Sequence, residues 1–185
     1  MIFYTAWYFS VIYLLGMFLI YLKFPKDSWK RFFGGSKSEY TKNNNKLLEV
    51  IKFLIMILSW WGIIFYSFIV PVNYGSWFFY IGVFLFVMSM ILYEISLFNY
   101  ASTPVGMPVR KGLYKVSRNP QYICDFFMWI GVGLICFSYL IIILKITGSL
   151  IQHWTIVEEE HFCLEKYGED YKEYFDKTPR YLLFF

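Results

Sequence analysis

Four long apolar stretches leave this chain few solvents other than lipid. Residues 2–21 carry no charged side chain, residues 47–70 carry only Glu49 and Lys52 near their start, and residues 77–98 are interrupted only by Glu94. Each is long enough to cross a hydrocarbon core of about 30 Å at about 1.5 Å per residue. The fourth stretch, 122–157, is too long for one crossing and is read as two short helices joined near Phe137 to Tyr139. In hydrocarbon every backbone polar group must be satisfied within its own segment, which leaves helices or closed barrels. Barrel strands alternate apolar and polar residues over about ten positions, whereas these runs are continuous. With charged residues at only 16% of the chain, the sequence predicts an all-α, polytopic membrane protein of about five transmembrane helices.

Sidedness follows from the basic residues. The segment after the first run holds Lys23, Lys26, Lys30, Arg31, Lys37, Lys42 and Lys46, and the turn over residues 71–76 holds none. The segment before the fourth run carries Arg110, Lys111, Lys115 and Arg118, and the tail carries Lys166, Lys172, Lys177 and Arg180. The positive-inside rule puts all three basic segments in the cytoplasm. The expected topology is N-terminus out and a cytoplasmic helical C-terminal tail. Nothing basic precedes the first run and no small-residue cleavage site follows it, so it reads as a membrane helix rather than a signal peptide. Lys145 falls inside the fifth predicted helix with no partner evident from the sequence; snorkelling or a misplaced turn would account for it.

The net charge of +4 conceals a concentration of acid, since eight of the thirteen acidic residues lie between Glu158 and Asp176. Membrane topology and anionic lipid explain the basic loops without a nucleic-acid partner. Cys124, Cys136, Cys163, His153 and His161 show no metal-ligand spacing and no disulfide framework. Oligomeric state is not legible.

Two polar segments would meet at the cytoplasmic face. The first runs from Gly112 to Tyr122, where Asn119 and Pro120 form a helix start with Asn as N-cap and Pro at N1. A helix N-terminus with an arginine beside it suits an anion such as a carboxylate. The second is Glu158-Glu159-Glu160 and the residues to Gly168, read as a continuation of the fifth helix. Three adjacent carboxylates call for a cationic or hydroxyl-bearing neighbour. Glu94 and Asp125 lie at similar depth inside apolar runs, and intramembrane acids tend to face a cavity.

The order and spacing of these segments carry a family resemblance. Gly112-x-Tyr114-x-x-x-Arg118-Asn119-Pro120-x-Tyr122, a helical hairpin, Glu159-Glu160, Tyr167-Gly-Glu-Asp-Tyr171 and Thr178-Pro-Arg180 together resemble the isoprenylcysteine carboxyl methyltransferase and phospholipid methyltransferase family. The likeness covers about residues 103–180; the first two helices show only hydropathy. It divides the chain into residues 1–100, three helices with the basic loop 22–46, and residues 101–185, a cofactor-binding half made of a re-entry loop, the hairpin 122–157 and the tail. It implies S-adenosylmethionine as cofactor and a lipid-like, prenylated or small hydrophobic methyl acceptor. Carried over with it as cofactor-binding positions are Gly112, Tyr114, Arg118, Asn119, Pro120, Tyr122, Glu159 and Glu160. Of these, Glu159 and Glu160 would take the ammonium or ribose, Arg118 the carboxylate, and Tyr114 or Tyr122 the adenine. Glu94, Asp125 and Arg180 are the candidates for the acceptor side, and no metal is implied. Asn119 stands where eukaryotic prenylcysteine enzymes usually have His, and the third helix offers only Gly82 where phosphatidylethanolamine N-methyltransferases have Gly-x-Gly.

Two other readings compete. The run from Glu160 to Gly168, with Tyr171 and Tyr174 after it, also resembles the end of NADPH-dependent sterol reductases, although a 2′-phosphate wants clustered Arg and the chain has only four arginines. A non-catalytic membrane scaffold would bind a cofactor without turnover.

Overall fold

The computed structural model describes residues 4–24, 46–104 and 106–182. The basic residues Lys26, Lys30, Arg31, Lys37 and Lys42, on which part of the predicted sidedness rests, lie outside them. The described residues form α1 (Trp7–Leu22), α2 (Lys46–Ser67), α3 (Trp77–Ala101), a 3-10 turn (Gly112–Lys115), α4 (Pro120–Ile135), α5 (Tyr139–Tyr167) and α6 (Glu169–Lys177), with no strand among them. Three helices, α2, α3 and α5, are long and apolar enough to cross a membrane, and α1 and α4 are shorter apolar helices of 16 residues. The chain is an all-α, polytopic membrane protein. Leu58, Phe65, Trp77, Phe84, Phe98, Ile143 and Leu150 are exposed from the bundle, as side chains solvated by lipid would be.

Backbone hydrogen bonds align the helix ends. Val72 N–H donates to Tyr4 (2.7 Å), Ala6 N–H to Val70 (3.1 Å) and Asn73 N–H to Ile135 (3.0 Å). The start of α1, the end of α2, the start of α3 and the end of α4 therefore share one end of the bundle. The α4–α5 hairpin closes there too. Its turn falls close to the predicted 137–139 and ends α4 with Phe137 at φ +50. Ser138 N–H donates to Gly133 O (2.8 Å) and Phe137 N–H to Leu134 O (3.1 Å), the Schellman pattern. Phe137 occupies a position usually given to Gly, its ring lying 5.5 Å from that of Phe78.

Without a hydrophobic drive between helices in lipid, close approach of backbones holds the bundle together. On α3, a Cβ added to Gly82 would fall 2.5 Å from the carbonyl oxygen of Gly131 on α4; one added to Gly131 would fall 2.7 Å from that of Gly82. Gly148 of α5 meets Ser59 of α2 in the same manner, at 2.9 Å. Between these contacts lies an aromatic and aliphatic core in which Trp129 and Met128 are fully buried and the Tyr13 and Trp129 rings meet edge to face at 5.4 Å. A buried Ser10–Ser67 hydrogen bond of 2.7 Å joins α1 to α2.

At 29 residues, or about 44 Å, α5 outruns a 30 Å hydrocarbon core. Its last residues, 158–167, lie at the same end of the bundle as the start of α4, the 3-10 turn and α6.

Candidate active site

The polar end is assembled around Glu160, which is 3% exposed. Arg118 donates to both of its oxygens, from Nε at 3.0 Å and Nη2 at 3.3 Å. Asn119 Nδ2 donates to Oε1 at 2.9 Å, and Arg180 Nε to Oε2 at 2.9 Å. One carboxylate thus binds two guanidinium groups and an amide from two separate segments of the chain. Arg118 is equally committed: Nη1 donates to the carbonyls of Thr178 (2.9 Å) and Phe175, and the guanidinium lies 3.9 Å from the centre of the Phe175 ring.

The backbone stitches the same segments together. Arg118 N–H donates to Pro179 O (2.9 Å), and Ser117 Oγ donates to Arg180 O (2.9 Å) while accepting from Asn119 N–H (3.0 Å). Asn119 does stand at the N-cap, with Pro120 opening α4, but its side chain makes no capping bond. The amide is turned onto Glu160 and Arg180 O, where a buried carboxylate offers a stronger, charge-assisted partner than a helix N–H.

The three adjacent glutamates find three different partners. Glu158 accepts from Lys52 of α2 at 3.3 Å, Glu159 from the Tyr122 hydroxyl at 3.0 Å, and Glu160 from the arginines and Asn119. Residues 158–160 each advance about 100° around α5, so successive carboxylates face different neighbours and their mutual repulsion is relieved separately. Among the described residues, only Oε2 of Glu159 is hydrogen-bonded. Arg180 has its side chain 21% exposed and, among the described residues, makes a side-chain bond only through Nε.

Gly112 opens the 3-10 turn at φ +59, in the left-handed region, and a Cβ there would collide with the Asn99 amide, whose Nδ2 is buried without a hydrogen bond. Tyr114 is buried beneath this turn, and its carbonyl accepts from the Tyr174 hydroxyl at 2.6 Å. Burial pushes both phenols up from their usual range, which keeps them neutral.

The structure therefore gathers Arg118, Asn119, Pro120, Tyr122, Glu159, Glu160 and Arg180, with Gly112 and Tyr114 in the adjoining turn. It separates the two intramembrane acids. Glu94 reaches toward Gly16 of α1 and does not line the cavity described next, whereas Asp125 does. Lys145 has a partner after all, in Asp125, and the pair is buried between α4 and α5. Sequence reasoning set these two charges down separately because their pairing depends on the register of the hairpin.

Beneath the polar end, residues of α1 to α5 line a partly open cavity of about 220 Å³, with Tyr122, Gln121, Asp125, Lys145 and Gln152 on its polar side and Met17, Trp60, Ile63 and Leu144 among others. Tyr122 belongs to both places: its ring faces the cavity and its hydroxyl holds Glu159. Gln121 was passed over in the sequence as the variable position between Pro120 and Tyr122.

A pocket within a bundle of apolar helices thus lies under a cap of arginine, glutamate and tyrosine. Residues 53–170, well over half of the chain, match the family described as phospholipid methyltransferase, and the chain belongs to that family. Methyl transfer to a lipid-type substrate is the activity this membership implies. The match reaches back into α2, further than the motifs legible in the sequence, and stops at Asp170, short of Arg180. Comparisons with curated proteins and with solved structures return no match.

Proposed function

We propose that the chain transfers the methyl group of S-adenosylmethionine to an apolar acceptor that enters from the bilayer, with the cap facing the cytoplasm. The observation that carries the reading is Glu159, a carboxylate with one oxygen on Tyr122, standing between the cap and the cavity. The chemistry of the donor set fits the cofactor. Glu159 Oε1 would take its ammonium or a ribose hydroxyl, and the terminal nitrogens of Arg180 its carboxylate. The rings of Tyr114 and Tyr122 offer an apolar wall for the adenine. Arg118, Asn119 and Glu160 would hold these groups in place, since their own bonding capacity is spent on one another.

S-adenosylmethionine supplies an electrophilic methyl group on a sulfonium, so no covalent residue is required of the protein. What the chain contributes is alignment of the acceptor with that methyl and a cavity shielded from water. The basic residues Lys111, Lys115, Lys166, Lys172 and Lys177, all at the cap end, support a cytoplasmic orientation with the N-terminus outside.

Calorimetric titration of the purified protein with S-adenosylhomocysteine, with NADPH titrated in parallel, tests the reading. Micromolar binding of the first, weakened about tenfold or more by Glu159→Gln with the thermal midpoint retained, is expected. Binding of NADPH in its place would overturn it in favour of a reductase.

A further inference from the structure

The buried Asp125–Lys145 pair has an unfinished bonding pattern. Asp125 lies five residues into α4 from the polar end, and Lys145 six residues into α5 from the opposite end. At about 1.5 Å per residue each lies about 8 to 9 Å in from the start of its apolar helix. Their side chains are 10% and 6% exposed. Two charges at that depth are tolerated because each neutralises the other. Lys145 nevertheless engages only Oδ2 of Asp125, and Oδ1 is buried with no hydrogen-bond partner. One helical turn away on the same face of α4, Gln121 Nε2 is likewise buried and unpartnered. Both residues line the 220 Å³ cavity, whose remaining wall includes Met17, Met56, Ile57, Trp60, Ile63 and Leu144.

We propose that this cavity binds the hydroxyl of an uncharged alcohol or phenol on an apolar body, and that this hydroxyl is the methyl acceptor. The second half rests on the methyl-transfer reading above. An unsatisfied acceptor and an unsatisfied donor on adjacent turns want a group that both donates and accepts, and a hydroxyl does this with one atom, donating to Asp125 Oδ1 and accepting from Gln121 Nε2. A phosphate or carboxylate finds no uncommitted cation here, because Lys145 is held by Asp125, and it meets the Asp125 carboxylate head on. An ammonium finds that carboxylate already balanced. Size agrees with the head of such a molecule rather than a whole lipid: an apolar cavity of about 150 Å³ takes benzene, so this one holds a ring, its hydroxyl and a few further carbons. The remainder of the acceptor extends into the bilayer.

Tyr122 joins this cavity to Glu159 and the cap. In the transfer, a lone pair on the acceptor oxygen forms the O–CH3 bond as the methyl C–S bond breaks with its electron pair going to sulfur, giving the methyl ether and S-adenosylhomocysteine. The hydroxyl proton passes to Asp125 Oδ1 and is released to water once the products have left. The positive charge of the sulfonium leaves as that proton.

The test uses the full chain in lipid nanodiscs with radiolabelled 4-octylphenol as probe, S-adenosylhomocysteine binding as a separate readout, and two variants. Gln121→Leu removes the donor, and Met56→Trp fills the cavity should the first disturb the fold. Saturable probe binding is expected, weakened about tenfold by either variant while S-adenosylhomocysteine affinity stays within about twofold. Octylphenol should be methylated in preference to phosphatidylethanolamine or a prenylcysteine carboxylate. Probe binding indifferent to both variants, or preference for either charged acceptor, would overturn the proposal. Probe binding without S-adenosylhomocysteine binding would uphold the alcohol site and overturn its role in methyl transfer.

Discussion

Two buried ion pairs less than a helix length apart are built on opposite plans. At the cap, Glu160 accepts from Arg118, Asn119 and Arg180, and Arg118 spends its remaining donors on backbone carbonyls of residues 175 and 178. In the membrane, Asp125 and Lys145 have only each other, and Asp125 Oδ1 is left open. The desolvation of a buried charge is offset only when most of its bonding capacity is met. A saturated carboxylate such as Glu160 serves as a frame, because its own oxygens have nothing left to offer a ligand. An unsaturated one is where a ligand gains most, because the cost of burial has already been incurred. The same contrast holds within the cap, between Glu160 and its neighbour Glu159.

The largest expected effect is at the frame. Arg118→Ala strands Glu160 among its remaining partners and frees two carbonyls, and should lower stability by about 3–5 kcal/mol, read as loss of the folded species in detergent thermal unfolding. Lys145→Met should cost a similar amount by leaving Asp125 charged and alone, but here the comparison sharpens. The double variant Asp125→Leu with Lys145→Met should recover most of that loss, about 2–4 kcal/mol, since an isolated buried pair is replaceable by apolar packing. The corresponding double change at Arg118 and Glu160 should not recover, because the Asn119 amide and the carbonyls of Phe175 and Thr178 lose their partners. Equal recovery at both sites would break the distinction between frame and ligand site. A smaller effect belongs to the helix crossing that supports both regions: Gly131→Leu should cost about 1–3 kcal/mol by forcing α3 and α4 apart, seen as a lower thermal midpoint. Smallest is Glu173→Gln, which removes an exposed pair with Lys177 on α6 and should leave the midpoint unchanged.

Much of this architecture could be read from the chain. The apolar runs mark five helices, the hairpin turn falls close to the expected 137–139, and the glutamates lie on the continuation of the fifth helix. Helices and their ends are written in local pattern, and local pattern survives into the fold. What stayed hidden depends on rotation and register between helices. Asp125 stands ten residues before the end of α4 and Lys145 six after the start of α5. Their depths differ by about 6 Å at 1.5 Å per residue, a gap the lysine's four-carbon stem closes only if the turn has one specific geometry. Glu94 has the depth to join them, but it is rotated toward α1. Asn119 stands where the sequence puts it and bonds elsewhere, because a buried carboxylate 41 residues away is invisible to a capping rule. The sequence could not show that Arg118 bonds Glu160 and the carbonyls of Phe175 and Thr178, because those partners lie 42 to 60 residues away.

The stitching of Arg118 to Thr178, Pro179 and Arg180 also sets a clock on biosynthesis. Its partner Thr178 is made 60 residues later, about 3–12 s at ordinary elongation rates of 5–20 residues per second. Through that interval the hairpin can already be inserted while the cap is still open, with Arg118 and Glu160 hydrated at the membrane surface. The cap can close only once residues 178–180 have been made, so a message truncated a few codons ahead of Thr178 would leave Arg118 and Glu160 without the partners that bury them.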